Sequence, residues 1–237
     1  MNYDTLLNSF DRRYRLKKNV NIGISVLITA LGISSFCYGL TLEPSVTIFR
    51  WMTVDGTLFS TAAAAVFVFV NLWEILFQTE LTYIPVYYLR LSGSVAEAVI
   101  MIVVLFSQLT VFSEHLPVFD RYDSFIMHLA VPVLAIASFL LNDSPIGKLG
   151  NWQRWHGTWF VTLYAVLILS LIETGQLPSS LIPYFFLDYR SNGIGIFLFA
   201  FVFIYSSAYL MSWFLSEKNR SLSWVWFRGS IGKKEGR

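Results

Sequence analysis

The 237-residue chain contains a single cysteine, Cys37, and few charged side chains. One cysteine excludes an internal disulfide and any metal site built from several thiolates. Charged residues make up 14% of the sequence and hydrophobic residues 55%, which is far from the balance of a soluble domain. The formal net charge of +2 is not typical of a protein that binds nucleic acid, so we expect no nucleic-acid partner. The composition predicts an integral membrane protein.

Long runs without charge divide the sequence into six apolar spans. Five runs of 18 to 26 residues contain no Asp, Glu, Lys or Arg, and a sixth is interrupted only by Glu97. A helix needs roughly 20 apolar residues to cross a bilayer, so each run is long enough. The sequence therefore predicts an all-α polytopic membrane bundle, forming one domain over residues 1–237. The predicted transmembrane helices cover about 20–40, 51–73, 92–113, 124–142, 155–171 and 193–215.

The basic residues alternate from one side of these spans to the other. Fourteen of the 17 Lys and Arg residues lie in the two tails and in the second and fourth loops. The other three, Arg50, Arg121 and Arg190, lie in the first, third and fifth loops. Because positive charge marks the cytoplasmic side, both termini are predicted to be cytoplasmic. The pattern predicts a multi-pass protein of the cell membrane, surrounded by the bilayer.

Two polar groups inside the spans are predicted to lie at similar depth. The second span carries hydroxyl residues on one helical face near its start, beginning with Thr53 and Thr57. His128 is the one histidine well inside a span, and it lies near the start of the fourth. In the predicted topology both spans run inward from the outside. Thr53 and His128 therefore form either a helix–helix hydrogen bond within a packing stripe, or a nucleophile with its base.

Three sequence blocks resemble, in this order, those of a bacterial family of six-predicted-transmembrane proteins. The blocks are FRWMTVDGTLFS (Phe49–Ser60), MHLAVPVLAIASFLLND (Met127–Asp143) and IPYFFLDYRSNGIG (Ile182–Gly195). Through the same blocks the chain is distantly similar to the animal androgen-induced and androgen-dependent membrane proteins. Those proteins are threonine hydrolases that cleave fatty-acid esters of hydroxy fatty acids.

This resemblance implies roles for two residues, and three others nearby in the blocks are further candidates for the site. Matched by motif, the nucleophile is Thr53 and the histidine base is His128. Asp55, Thr57 and Tyr184 are candidates to orient groups or bind the substrate. The implied activity is hydrolysis of an ester bond in a lipid-like substrate, such as a fatty-acid ester. No metal ion and no organic cofactor is implied.

Other classes of membrane protein fit the residues less well. A retinal photoreceptor needs a Lys within a span, and no predicted span contains one. A metal site at the outer face would need His115 and His128 together with a third ligand. Asp55 near the outer edge and Glu97 near the inner edge leave the middle of the predicted spans uncharged, which argues against ion or proton coupling. A non-enzymatic lipid-binding or membrane assembly protein is the remaining alternative.

Overall fold

The structure is a computed structural model that describes the backbone of residues 3–77, 83–111, 120–142 and 149–231. Side chains are described over residues 15–77, 84–106, 120–142 and 149–223. Within these ranges all regular secondary structure is helical, and six helices are long and apolar enough to cross a membrane. They are Arg15–Leu42, Met52–Phe77, Ile84–Phe106, Tyr122–Leu140, Asn151–Glu173 and Ile194–Ser223, here called spans 1 to 6. The predicted all-α, multi-pass membrane bundle is confirmed.

Several spans belong to longer or composite helices. The helices that contain spans 1, 2, 3 and 6 cover Tyr3–Leu42, Met52–Phe77, Tyr83–Val111 and Ile194–Ile231. Span 4 joins the α-helix Tyr122–Phe125, the π-helical turn Ile126–Ala130 and the α-helix Val131–Leu140. Span 5 joins the α-helix Asn151–Arg154, the 3-10 turn Trp155–Thr158 and the α-helix Trp159–Glu173. Short helical turns in the connections cover Val46–Arg50, Ser179–Leu181, Phe185–Leu187 and Tyr189–Asn192.

Span 3 lies at the centre of the bundle. In its most apolar window 61% of the residues are buried, whereas in span 6 the corresponding share is 6%. Leu91, Val95 and Val99 of span 3 are fully buried. They belong to one apolar cluster with Phe139 of span 4 and Phe160 of span 5. Span 3 therefore holds the other spans together, and span 6 lies at the edge.

Span 3 begins earlier than the charge pattern predicts. Its helix starts at Tyr83 rather than near Ser92, with Pro85 in the first turn, where a missing N–H costs the helix no hydrogen bond. Glu97 is consequently the fifteenth of 29 helical residues, and its side chain is fully buried. The expectation that Glu97 lies near the inner edge, and that the middle is uncharged, is therefore wrong. That expectation no longer argues against ion or proton coupling.

The early start of span 3 also places Arg90 inside the bundle instead of in a loop. Arg90 is buried, and its guanidinium donates to Ser25 at 3.2 Å and to Ser138. It also lies over the ring of Phe67, 4.1 Å from the centroid. A buried charge is costly unless such partners replace its water. These contacts join spans 1, 2, 3 and 4 at the end of the bundle that the charge pattern assigns to the cytoplasm.

Cysteine labelling tests the predicted orientation of the termini. In a Cys37→Ser background, a reporter cysteine replacing the exposed Gln176 should react with a membrane-impermeant maleimide from outside intact cells. A reporter replacing Lys233 should react only after the membrane is permeabilised, because the basic tails are predicted to be inside. Reaction of the Lys233 reporter in intact cells would overturn the predicted orientation.

Candidate active site

The first turn of span 2 and the second turn of span 4 bring together two side chains that are 75 positions apart in the sequence. Thr53 Oγ1 lies 3.2 Å from His128 Nε2, which is hydrogen-bond distance. Thr53 is 9% exposed, so little water competes for its hydroxyl. The similar depth expected from the sequence is present in the structure. The pair has the spacing that a hydroxyl nucleophile and its base require.

The second ring nitrogen of His128 determines which tautomer is present. Nδ1 lies 2.8 Å from the backbone carbonyl oxygen of Ser124, and 3.2 Å from the Ser124 hydroxyl. A carbonyl oxygen only accepts hydrogen bonds, so Nδ1 of the neutral ring carries the proton and donates it. The lone pair of Nε2 then faces the Thr53 hydroxyl. His128 is therefore oriented to accept the proton of Thr53.

An irregular turn in span 4 carries His128. Residues Ile126–Ala130 form a π-helical turn, in which the Val131 N–H donates to the Ile126 carbonyl five residues earlier. Pro132 explains why the helix is irregular here, since proline has no N–H to donate and its ring crowds the carbonyl four residues before it, that of His128. Turns of this kind widen a helix locally and are frequent at functional sites.

The start of span 2 supplies backbone donors next to Thr53. The first backbone bond of this helix runs from the Asp55 N–H to the Trp51 carbonyl, at 3.2 Å. The N–H groups of Met52 and Thr53 precede it and point out of the helix end. The Tyr184 hydroxyl lies beside these backbone groups and beside the Thr53 side chain. The Tyr184 hydroxyl thus lies next to both the Thr53 side chain and the start of span 2.

Tyr184 lies in the connection between spans 5 and 6, and aromatic rings hold it in place. Its ring meets that of Trp51 edge to face, with centroids 5.8 Å apart, and stacks on that of Phe186 at 5.3 Å. Burial raises the pKa of the Tyr184 hydroxyl to about 12, although its hydrogen bonds with Thr53 and with the backbone of Met52 and Thr53 act in the opposite direction. At neutral pH this hydroxyl is therefore protonated and able to donate.

Thr53, His128 and Tyr184 line a cavity of about 560 Å³. Its wall toward spans 3, 5 and 6 is mainly apolar, with two tyrosines: Ile100, Val103, Val104, Val161, Tyr164, Ala165, Ile168, Leu169, Phe197, Phe201, Ile204 and Tyr205. Cavities of roughly 300–1,000 Å³ with apolar walls and few polar groups are typical of small-molecule sites. The Thr53–His128 pair therefore faces a largely apolar space.

Ion pairs line the part of the cavity where span 1 ends and span 4 begins. Arg121 donates to both carboxylate oxygens of Asp123, at 3.1 and 2.6 Å. This hydrogen-bonded partner raises the pKa of the Arg121 guanidinium above its ordinary value. Glu43, paired with Arg50 at 3.5 Å, lines the same region. The cavity thus changes from apolar among spans 3, 5 and 6 to charged at this end.

The two remaining candidates do not contribute to the cavity wall. Asp55 and Thr57, both described, are not among the residues that line it. Thr57 is fully buried beside Glu97 of span 3.

Ser124 belongs to the site but is not among the residues predicted from the sequence, although it precedes His128 by four residues. That spacing places both on one helical face and was a usable signal.

In the described part of the chain, no group of three or more His, Cys, Asp and Glu side chains lies close enough together to hold a metal ion. His115, the other histidine of the alternative metal site considered above, lies outside the described ranges.

Comparisons with known proteins leave the family open. No protein-family model, curated protein or solved structure matches the chain significantly. Function is therefore inferred from the side chains around the cavity and from the three sequence blocks described above.

Proposed function

We propose that this protein is an intramembrane hydrolase that cleaves an ester bond in a lipid-like substrate. The observation that carries the proposal is the 3.2 Å hydrogen bond between Thr53 Oγ1 and His128 Nε2 beside a largely apolar cavity. The resemblance of the three sequence blocks to the threonine hydrolases supports the same two residues. Membrane-embedded spans make an apolar substrate accessible directly from the bilayer.

The first half of the reaction transfers the acyl group to threonine. Thr53 Oγ1 attacks the ester carbonyl carbon while its proton moves to His128 Nε2. The resulting imidazolium is stabilised by the Ser124 carbonyl, which accepts from Nδ1 at 2.8 Å. When the tetrahedral intermediate collapses, the bond from carbon to the alcohol oxygen breaks. His128 returns its proton to that oxygen, and the alcohol leaves.

The negative oxygen of the tetrahedral intermediate needs donors placed in advance. The Tyr184 hydroxyl, which lies beside the Thr53 side chain, fills this role, and the N–H groups of Met52 and Thr53 lie next to that hydroxyl. Such donors contribute most where water is excluded. Since the pKa of Tyr184 is about 12, the hydroxyl keeps its proton while it donates.

The second half of the reaction releases the acid. Water takes the place of the departed alcohol, gives a proton to His128 Nε2 and attacks the acyl–threonine carbonyl. Collapse of the second intermediate breaks the bond to Thr53 Oγ1, which recovers the proton from His128. The products are a carboxylic acid and free threonine. One histidine thus serves both halves as base and then acid.

Covalent labelling tests the proposal. A long-chain fluorophosphonate should label the purified wild-type protein, because the activated oxygen displaces fluoride from phosphorus. Peptide mass spectrometry should place the adduct on Thr53. An adduct on any other residue would contradict the proposed nucleophile. Binding of a fluorescent fatty-acid ester without labelling or hydrolysis would favour the non-enzymatic lipid-binding alternative.

A further inference from the structure

A second cavity lies at the opposite end of the bundle from Thr53, between the start of span 5 and the end of span 6. Its lining contains three cations, Arg154, Lys218 and Arg220, and one carboxylate, Glu217. The lining therefore carries an excess of two positive charges. We propose that this cavity binds the phosphate headgroup of an anionic phospholipid. This inference does not depend on the hydrolase function.

Two of the three cations already form ion pairs with the one carboxylate of the cavity. Glu217 accepts from Arg154 at 2.8 Å and from Arg220 at 2.6 Å. The Lys218 ammonium instead lies over the ring of Phe214, 5.8 Å from its centroid. One carboxylate is thus shared by two guanidiniums, and the positive charge around it exceeds what it neutralises. A phosphate diester supplies the missing negative charge and accepts from several donors.

Arg154 is the buried one of the three cations, with 8% of its surface exposed. Neighbouring contacts hold the arginine in place: Nη1 donates to Asn151 at 3.0 Å, and its backbone carbonyl accepts from Ser212 at 2.6 Å. The guanidinium is therefore fixed in position before any ligand arrives.

The order of side chains along span 6 favours a lipid over a free phosphate ion. Trp213 and Phe214 line the cavity on one helical turn, Glu217 and Lys218 follow on the next, and Arg220 lies close behind. At about 1.5 Å per residue, the change from aromatic to charged extends over roughly 10 Å. This order of side chains matches the order of the parts of a phospholipid in a bilayer, from the acyl chain through the interface to the headgroup. A free phosphate would not need the aromatic part.

Lipid titration monitored by native mass spectrometry tests the site on the full-length protein. Phosphatidylglycerol should bind more tightly than phosphatidylcholine with the same acyl chains. The double variant Lys218→Gln/Arg220→Gln should bind phosphatidylglycerol roughly 25-fold more weakly, since each cation near an anionic lipid contributes about fivefold. The matched control Lys233→Gln/Lys234→Gln removes two cations from the C-terminal tail and should change the affinity less than twofold.

Three outcomes would overturn the proposal. Equal weakening by both double variants would mean that the lipid responds to net charge and not to this cavity. Equal affinity for the two phospholipids would remove the role of the anionic headgroup. Inorganic phosphate that binds as tightly as the lipid and displaces it would make the occupant a free ion. If the first double variant unfolds, Lys218→Gln alone, at an exposed position, should still weaken binding about fivefold.

Discussion

Replacing Thr53 with valine should lower kcat/KM for ester hydrolysis by at least about a thousandfold, because the covalent acyl intermediate cannot form without the threonine hydroxyl. Valine has nearly the shape of threonine and lacks only the hydroxyl. The Thr53→Ser variant keeps that hydroxyl and should retain measurable hydrolysis. Release of fatty acid from a fluorogenic long-chain ester, with purified protein in lipid nanodiscs, measures both rates.

The matched control for this substitution is Thr61→Val, two turns further along span 2. The Thr61 hydroxyl is buried, makes no hydrogen bond within the described part of the chain, and does not line the cavity. Its loss should leave kcat/KM within about twofold, because removing an unpaired buried hydroxyl costs little. Hydrolysis by Thr53→Val at the wild-type rate would exclude Thr53 as nucleophile, whatever the protein's activity.

The number and approximate position of the spans could be predicted because the bilayer requires one simple pattern. Each span must be apolar over roughly 20 residues, so uncharged runs locate it directly. The rule fails where a protein buries a charge with its own partners. Arg90 looks like a loop residue, yet Ser25, Ser138 and the Phe67 ring replace its water inside the bundle. The charge pattern therefore predicts a start for span 3 that is too late in the sequence.

The pairing of Thr53 with His128 could be anticipated from depth, whereas its surroundings could not. Depth depends only on each residue's distance from the end of its span, which the sequence gives. The position of the Tyr184 hydroxyl depends on how the connection between spans 5 and 6 folds back over the bundle. The edge-to-face contact with Trp51 and the stacking on Phe186 hold the Tyr184 ring on that path, and no local sequence pattern encodes these contacts.

Thr57 illustrates the limit of arguing from a shared helical face. It lies one turn from Thr53, and helical spacing placed both on one face. A face of a helix within a bundle is wide enough to meet two neighbours. Thr53 meets His128 of span 4, while Thr57 lies beside Glu97 of span 3. Which neighbour a residue meets depends on the packing of the helices, which the spacing alone does not give.

Replacing His128 with glutamine should lower kcat by about 10²–10⁴-fold, the usual contribution of a positioned general base and acid. Glutamine still forms hydrogen bonds across the interface between spans 2 and 4 but accepts no proton at neutral pH. The rate of fluorophosphonate labelling at Thr53 should fall in parallel, since the same proton transfer activates the oxygen. The matched control is His156→Gln, because His156 packs against Tyr88 and Trp159 and does not line the cavity.

Chemical rescue separates a base from a structural hydrogen bond. In His128→Ala the ring is replaced by space next to Thr53, and added imidazole can enter the cavity and accept the proton. We expect imidazole to restore part of the hydrolysis in His128→Ala and none in Thr53→Val, which has no proton to lose. If His128 only joins spans 2 and 4, its variants will unfold at lower temperature while the folded fraction keeps the wild-type kcat. That result, with no effect of imidazole, would leave Thr53 without a base and contradict the proposed mechanism.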